Sequence, residues 1–170
     1  SSAILDFISN NPELNEKYKG LGPEHFSCAP QNMWVDKMGE ATDKSRGVTA
    51  RFVNHLISSS KYRDLNDLIE NISKYDFKEG FSENVGGHKF KISTWGILKA
   101  FDSSPSSLIL DYISNNPLLN EKYIGLGPEH FFNSPRNIWK DKSGNPTEKA
   151  RDVTAKFVNH LISSGKYNSL

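Results

Sequence analysis

Hydrophobic residues recur along positions 43–59 at spacings of three, four and five residues. On a helix with 3.6 residues per turn these positions form a single stripe. The stripe consists of Val48, Phe52, Val53, Leu56 and Ile57. Thr42 precedes it and is a residue type that caps helix N-termini. The pattern therefore predicts a long amphipathic helix from Asp43 to Ser59 that presents one face to a core.

Shorter elements are predicted before this helix. Only Asp6 interrupts the apolar surface from Ala3 to Ser9, which predicts a short, largely buried helix. Pro12 would open a second helix that runs to Tyr18, because proline fits the first helical position. A glycine-rich turn at 20–23 follows, and positions 28–39, from Cys28 to Gly39, have no periodicity.

Residues 66–105 add further elements. Apolar residues at helical spacing predict a helix over 64–73, and a second one is expected over 95–101. Between them, the turn Gly86-Gly87-His88 is followed by the alternating residues 89–92, which is typical of a short β-hairpin near 81–92. The predicted fold class is mainly α with one small hairpin.

The segment 1–65 recurs at 106–170 without a gap, and 45 of the 65 aligned positions are identical. Each residue i therefore corresponds to residue i+105. The apolar stripe of the long helix recurs as Val153, Phe157, Val158, Leu161 and Ile162. We expect this second helix to present the same core face as the first.

A period of 105 residues is longer than a solenoid turn, which indicates whole domains in tandem. We expect a tandem duplicated small helical domain, with a first unit over 1–105 and a second, truncated unit over 106–170. Because the chain has no initiator Met and the second unit lacks a counterpart of 66–105, we interpret it as a fragment of a larger repeat-containing protein.

Composition narrows the function classes. Apolar residues make up 36% of the 170 residues and charged residues 24%, which is typical of a globular protein. The net charge of +1 gives no overall attraction to nucleic acid. The single cysteine excludes an internal disulfide framework. With no membrane-spanning apolar run or signal-peptide pattern, we expect a cytoplasmic protein or, as a compositional hypothesis, a bacterial effector delivered into a host cytosol.

The candidate chemical groups are two acid–histidine pairs, Glu24-His25 and Glu129-His130, each after a Gly-Pro turn. An acid beside an imidazole can hold or transfer a proton. Adjacent helical residues point in different directions, however, so a structural role is favoured over catalysis. No spacing typical of a metal site, phosphate loop or nucleophile elbow is present, and no cofactor is expected.

The long helix also carries a basic band on each copy. Its members are Lys44, Arg51, His55, Lys149, Lys156 and His160. Such a band would suit an acidic protein surface, an anionic headgroup or a nucleic-acid backbone. The competing interpretation is an ordinary solvated helix face, neutralised by acidic residues of the next helix, namely Asp64, Asp67 and Glu70.

Trp34 and Trp139 lie in irregular stretches, where tryptophan anchors a loop or presents a binding edge. With the acid–histidine pairs they form an alternative loop site. The sequence favours a non-catalytic tandem interaction module that binds a protein partner or an acidic surface, since linked copies gain avidity. A nucleic-acid-binding tandem helical domain and an enzyme that uses either acid–histidine pair are the alternatives.

Overall fold

A computed structural model describes residues 1–27 and 30–165. The elements are α1 (Ser2–Ser9), α2 (Pro12–Lys17), α3 (Asp43–Ser58), α4 (Leu65–Asn71), α5 (Lys74–Glu79), β1 (Phe81–Val85), β2 (His88–Ile92), α6 (Trp95–Lys99), α7 (Pro105–Ser114), α8 (Pro117–Lys122) and α9 (Glu148–Ser163). Short 3-10 turns lie at Pro23–His25, Gln31–Met33, Pro128–His130 and Arg136–Ile138. The prediction of a mainly helical protein with one antiparallel hairpin is confirmed. Cys28, at which the predicted irregular stretch begins, lies outside the described residues.

Local sequence explains where these elements begin. The Thr42 hydroxyl accepts a hydrogen bond from the Ser45 N–H at the start of α3, and Thr147 does the same for Ala150 at the start of α9. In the hairpin, Phe81 pairs with Ile92, and Gly86 and Gly87 adopt positive φ values of 60° and 81°. Two glycines at positive φ form the tight turn that matches the twist of paired strands.

The core is built around α3. Val48, Phe52, Val53 and Leu56 are each no more than 3% exposed. Residues 66–105, the middle segment, cover one side of this helix: the Phe52 ring centroid lies 5.0 Å from that of Phe77 and 5.8 Å from that of Phe81. The middle segment therefore helps to bury the stripe that the periodicity predicted, of which Ile57 is only partly buried.

A second side of α3 is covered by α7. Ile109 and Ile113 of α7 are 0% and 3% exposed and belong to the same core cluster as α3. Arg46 Nε lies 3.4 Å from Asp111 Oδ2, which adds an ion pair to this contact. One core thus draws on residues from both sides of position 105.

The predicted burial of the first helix is wrong. No residue of α1 is buried, and Ile4 and Phe7 are 52% and 64% exposed. The reason is tertiary: α7 has nearly the same sequence and already lies on α3, whereas α1 packs beside α2.

The predicted core face of the second long helix is also wrong. No residue of α9 is buried, and Phe157 is 59% exposed although its counterpart Phe52 is 1% exposed. The middle segment lies on α3, and no described residue range takes the equivalent place on α9.

Helix α5 was missed by the periodicity, which placed a single helix over 64–73. The structure ends α4 at Asn71 and restarts the helix after Ser73. Asp76 Oδ2 accepts a hydrogen bond of 2.8 Å from the Ser73 N–H, which completes a capping box. The Ser-x-x-Asp spacing was the available sequence signal.

Within the described residues, no helix combines the length and apolar character needed to cross a membrane.

Candidate functional site

The turn Pro23–His25 places Glu24 against α3. Its side chain is 0% exposed, and its Oε1 atom lies 2.8 Å from Lys44 Nζ and 2.8 Å from Arg51 Nη2. Arg51 Nε in turn lies 3.1 Å from Glu83 Oε1 on β1. The Glu24 cluster, which comprises Glu24, His25, Lys44, Arg51 and Glu83, therefore connects the turn, the long helix and the hairpin.

The Glu24 carboxylate is ionised in this setting. Burial raises its pKa, but the hydrogen bonds from Lys44 and Arg51, a backbone hydrogen bond and the charge of Lys44 together lower it by more, so that the pKa lies below its ordinary value. The carboxylate also lies directly against Gly22, where an added Cβ would overlap it. A side chain at position 22 would therefore force the Glu24 and Lys44 side chains to shift.

His25 has a partner for each ring nitrogen. Its Nδ1 atom accepts a hydrogen bond of 2.9 Å from the Gly22 N–H, so the ring proton lies on Nε2. Nε2 lies 3.2 Å from Glu83 Oε2 and donates to it. The Phe90 ring packs edge-on against the imidazole at 5.5 Å. Both ring nitrogens of His25 therefore have a partner within the chain.

The second acid–histidine pair lies in the same kind of turn as the first, but different side chains surround it. His130 Nδ1 accepts a hydrogen bond of 3.0 Å from the Gly127 N–H, as His25 does from Gly22. Glu129 is paired with Lys149, which lowers the carboxyl pKa against the opposing effect of burial. The His130 side chain is nevertheless 50% exposed. No described residue faces it as Glu83 faces His25.

The basic band divides into two unequal halves. Lys44 and Arg51 are ion-paired to the Glu24 cluster, and the His55 ring lies 5.7 Å from that of Phe81. In the second half, Lys156 and His160 are exposed and form no ion pair with the described residues.

The acids that neutralise the first half are Glu24 and Glu83. Asp67, one of the acids suggested by the sequence, instead lies beside Arg63 at 3.5 Å. Glu83 was missed because nothing in the local sequence relates a hairpin residue to a helix 32 positions earlier. Only the folded hairpin brings its carboxylate to Arg51.

The two predicted tryptophans also differ. Trp34 is 8% exposed and packs so closely on Gly96 of α6 that a Cβ there would lie 2.6 Å from Trp34 Nε1. Trp139 is only partly buried. The structure thus places Trp34 in the core and leaves Trp139 at the surface of the second segment.

A further feature is the uncovered face of α9, where Phe157 is 59% exposed and Val153 and Leu161 are only partly buried. We define it as Val153, Phe157 and Leu161, bordered by Lys156 and His160. Each has a counterpart on α3 that is buried or paired: Val48, Phe52, Leu56, Arg51 and His55. The uncovered face therefore carries nearly the same side chains as the buried face of α3, but no described segment packs against it as the middle segment packs against α3.

Other features carry less chemistry. A cavity of about 700 Å³ lies between the start of α5, the start of α7 and the loop at 128–138, and serine and asparagine side chains contribute to its lining. Neither His25 nor His130 lines this cavity. Among residues 1–27 and 30–165, no group of three or more His, Cys, Asp or Glu side chains is placed to hold a metal ion.

Comparisons with protein-family models, with curated proteins and with solved structures find no match to this chain. Its function is therefore inferred from its own geometry.

Proposed function

We propose that this chain is a non-catalytic tandem interaction module and that it binds a protein partner through the uncovered face of α9. The observation that carries the proposal is the contrast between two nearly identical helices. Phe52 on α3 is 1% exposed, whereas Phe157 at the same position of α9 is 59% exposed. An exposed aromatic residue with a basic border is typical of a protein-binding surface.

The covered helix indicates what such a partner would supply. On α3, the middle segment places the aromatic rings of Phe77 and Phe81 against Phe52. It also places the Glu83 carboxylate 3.1 Å from Arg51 Nε. A partner of α9 would accordingly offer apolar groups to Phe157 and a carboxylate to Lys156. Since lysine and arginine both carry the charge at this position, a point-charge contact suffices.

The Glu24 cluster supports a non-catalytic role. Both nitrogens of His25 are engaged by Gly22 and Glu83, and the Glu24 carboxylate is buried against two cations. A general base needs a nitrogen or carboxylate oxygen within reach of a substrate proton. In the first segment the pair holds the turn on α3 and the hairpin.

The test is capture of partners from a lysate of the source cells on the immobilised chain, with and without nuclease. The decisive variant is Phe157→Ser, and Phe132→Ser is its matched control. Phe132 is 86% exposed and is not part of α9, and the first segment carries Ser27 at the equivalent position. Lys156→Glu tests the charged border separately.

We expect a protein that survives nuclease, is lost with Phe157→Ser and is retained with Phe132→Ser. Lys156→Glu should weaken its capture. Equal capture by wild type and Phe157→Ser would refute the proposed face. Capture that disappears with nuclease would instead indicate nucleic-acid binding, for which a steep salt dependence is expected.

A further inference from the structure

A second surface of α9 lies beside the uncovered face. Ala150, Arg151, Thr154, Ala155 and Val158 recur at helical spacing and line a mostly apolar groove, which Pro146 and Asn159 close at its ends. The corresponding residues of α3 are Ser45, Arg46, Thr49, Ala50 and Val53. We call the surface on α9 the α9 groove.

The structure shows what covers this surface on α3. Helix α7 contacts α3 there, with Ile109 and Ile113 almost fully buried. Arg46 Nε lies 3.4 Å from Asp111 Oδ2. The contact thus combines an apolar ridge on α7 with one ion pair.

Helix α1 carries the same ridge. Residues 1–9 match 106–114 at all but two positions, and Ile4 and Asp6 correspond to Ile109 and Asp111. Ile4 is 52% exposed, although its counterpart is 0% exposed. Within the described residues, the Asp6 side chain forms no ion pair, and neither does that of Arg151. The molecule therefore displays both halves of a contact that it makes once internally.

We infer that α1 of one molecule docks in the α9 groove of a second copy of this chain and forms an Asp6–Arg151 ion pair there. This contact repeats the internal packing of α7 on α3. The inference rests on the proposed role of α9 as a binding helix, but uses a different side of it from Phe157. Because the two surfaces are different, the contact is heterologous, and copies add beyond a dimer, as a ring if the rotation between copies closes and as an open chain if it does not.

The expected affinity is low. A single helix face is smaller than a standard stable interface, and Ala3 replaces the Leu108 of α7, which removes apolar area from the ridge. Association is therefore measured by sedimentation velocity over a concentration series up to about 1 mM, where weak contacts become populated. The wild type should show an average mass that rises with concentration beyond that of a dimer.

Charge reversal provides the decisive test. In Asp6→Arg two arginines face each other at the contact, and in Arg151→Asp two aspartates do. The like charges repel, and each variant should weaken association by about tenfold or more. An equal mixture of the two variants restores opposite charges at every contact and should restore association. The double variant should do the same by itself.

Two further variants test the apolar ridge. Ile4→Asp should abolish association. Ile124→Lys should not, because Ile124 is 83% exposed, lies outside both surfaces and corresponds to Lys19 in the first segment. Circular dichroism establishes that each variant remains folded.

The inference is overturned if the wild type remains monomeric across the series. It is also overturned if association persists in both charge-reversal variants, or if their mixture fails to restore it. Lys156 and Phe157 are intact in all these variants, so a loss of self-association leaves the proposed partner binding separately measurable. Conversely, self-association that persists in Phe157→Ser shows that the two sides of α9 act independently.

Discussion

The internal repeat places a phenylalanine at the same position of two nearly identical helices that differ in burial. Phe52 and Phe157 each lie in a helix between Thr-Ala-Arg/Lys and Val-Asn-His-Leu-Ile. Helix propensity and neighbouring side chains are therefore nearly the same at the two sites. Replacing each phenylalanine by alanine isolates the effect of tertiary burial.

The structure sets the expected magnitudes. A phenylalanine buries about 200 Å² when fully covered, and Phe52 is 1% exposed, so Phe52→Ala should lower the free energy of unfolding by about 3–5 kcal/mol. Phe157 is 59% exposed and buries roughly 80 Å². At about 25 cal/mol per Å² this is at most ~2 kcal/mol, and Phe157→Ala should cost about 1 kcal/mol.

Urea unfolding followed by far-ultraviolet circular dichroism measures both losses. A difference of about 2–4 kcal/mol corresponds to a separation of roughly 1 M or more between the two midpoints. Samples are kept dilute, so that association does not cover α9. Equal losses would refute the reasoning, since they would mean that Phe157 is covered in solution. A small loss at Phe52 would contradict the position of α3 in the core.

The remaining predictions concern pH and glycine. The folded-state pKa of Glu24 lies below its unfolded value, so its stabilising effect is complete above the unfolded pKa and is lost as the pH falls through the folded pKa. Urea midpoints are measured from about pH 6 to about pH 3, a range that brackets the usual carboxyl pKa of about 4.3. The midpoint should fall less steeply with pH for Glu24→Gln than for the wild type. Identical slopes would contradict the assignment. Gly96→Ala should destabilise by about 1–3 kcal/mol, because its Cβ would displace Trp34. Gly47→Ala is the control: nothing lies within 4 Å of that Cβ, and thermal melts should show a gain of about 0.5–1 kcal/mol.

Much of the secondary structure was predictable because its causes are local. The caps at Thr42 and Thr147, the apolar period of α3 and the Gly86-Gly87 turn each act within a few residues. The same reason explains why α1 resembles α7 and why α3 resembles α9. The boundaries of the tandem units and the role of the basic band stay predictions.

The candidate site was predictable only in part. The sequence pointed to Glu24 and His25, and it favoured a structural role for them. It offered no means of finding Glu83, whose carboxylate reaches Arg51 and His25 only when the hairpin folds against the turn. Ion pairs between distant positions depend on tertiary geometry.

Apart from α5, the amino-acid sequence by itself indicated which segments are helical, where they begin and which side of each is apolar. Tertiary structure alone decided which apolar sides are covered. Ile109 and Phe52 are buried while Ile4 and Phe157 are exposed. Each pair shares most of its local sequence and differs mainly in what packs against it. Helix formation depends on neighbours within about four residues, whereas burial depends on segments from elsewhere in the chain, and α7 and the middle segment each lie on α3.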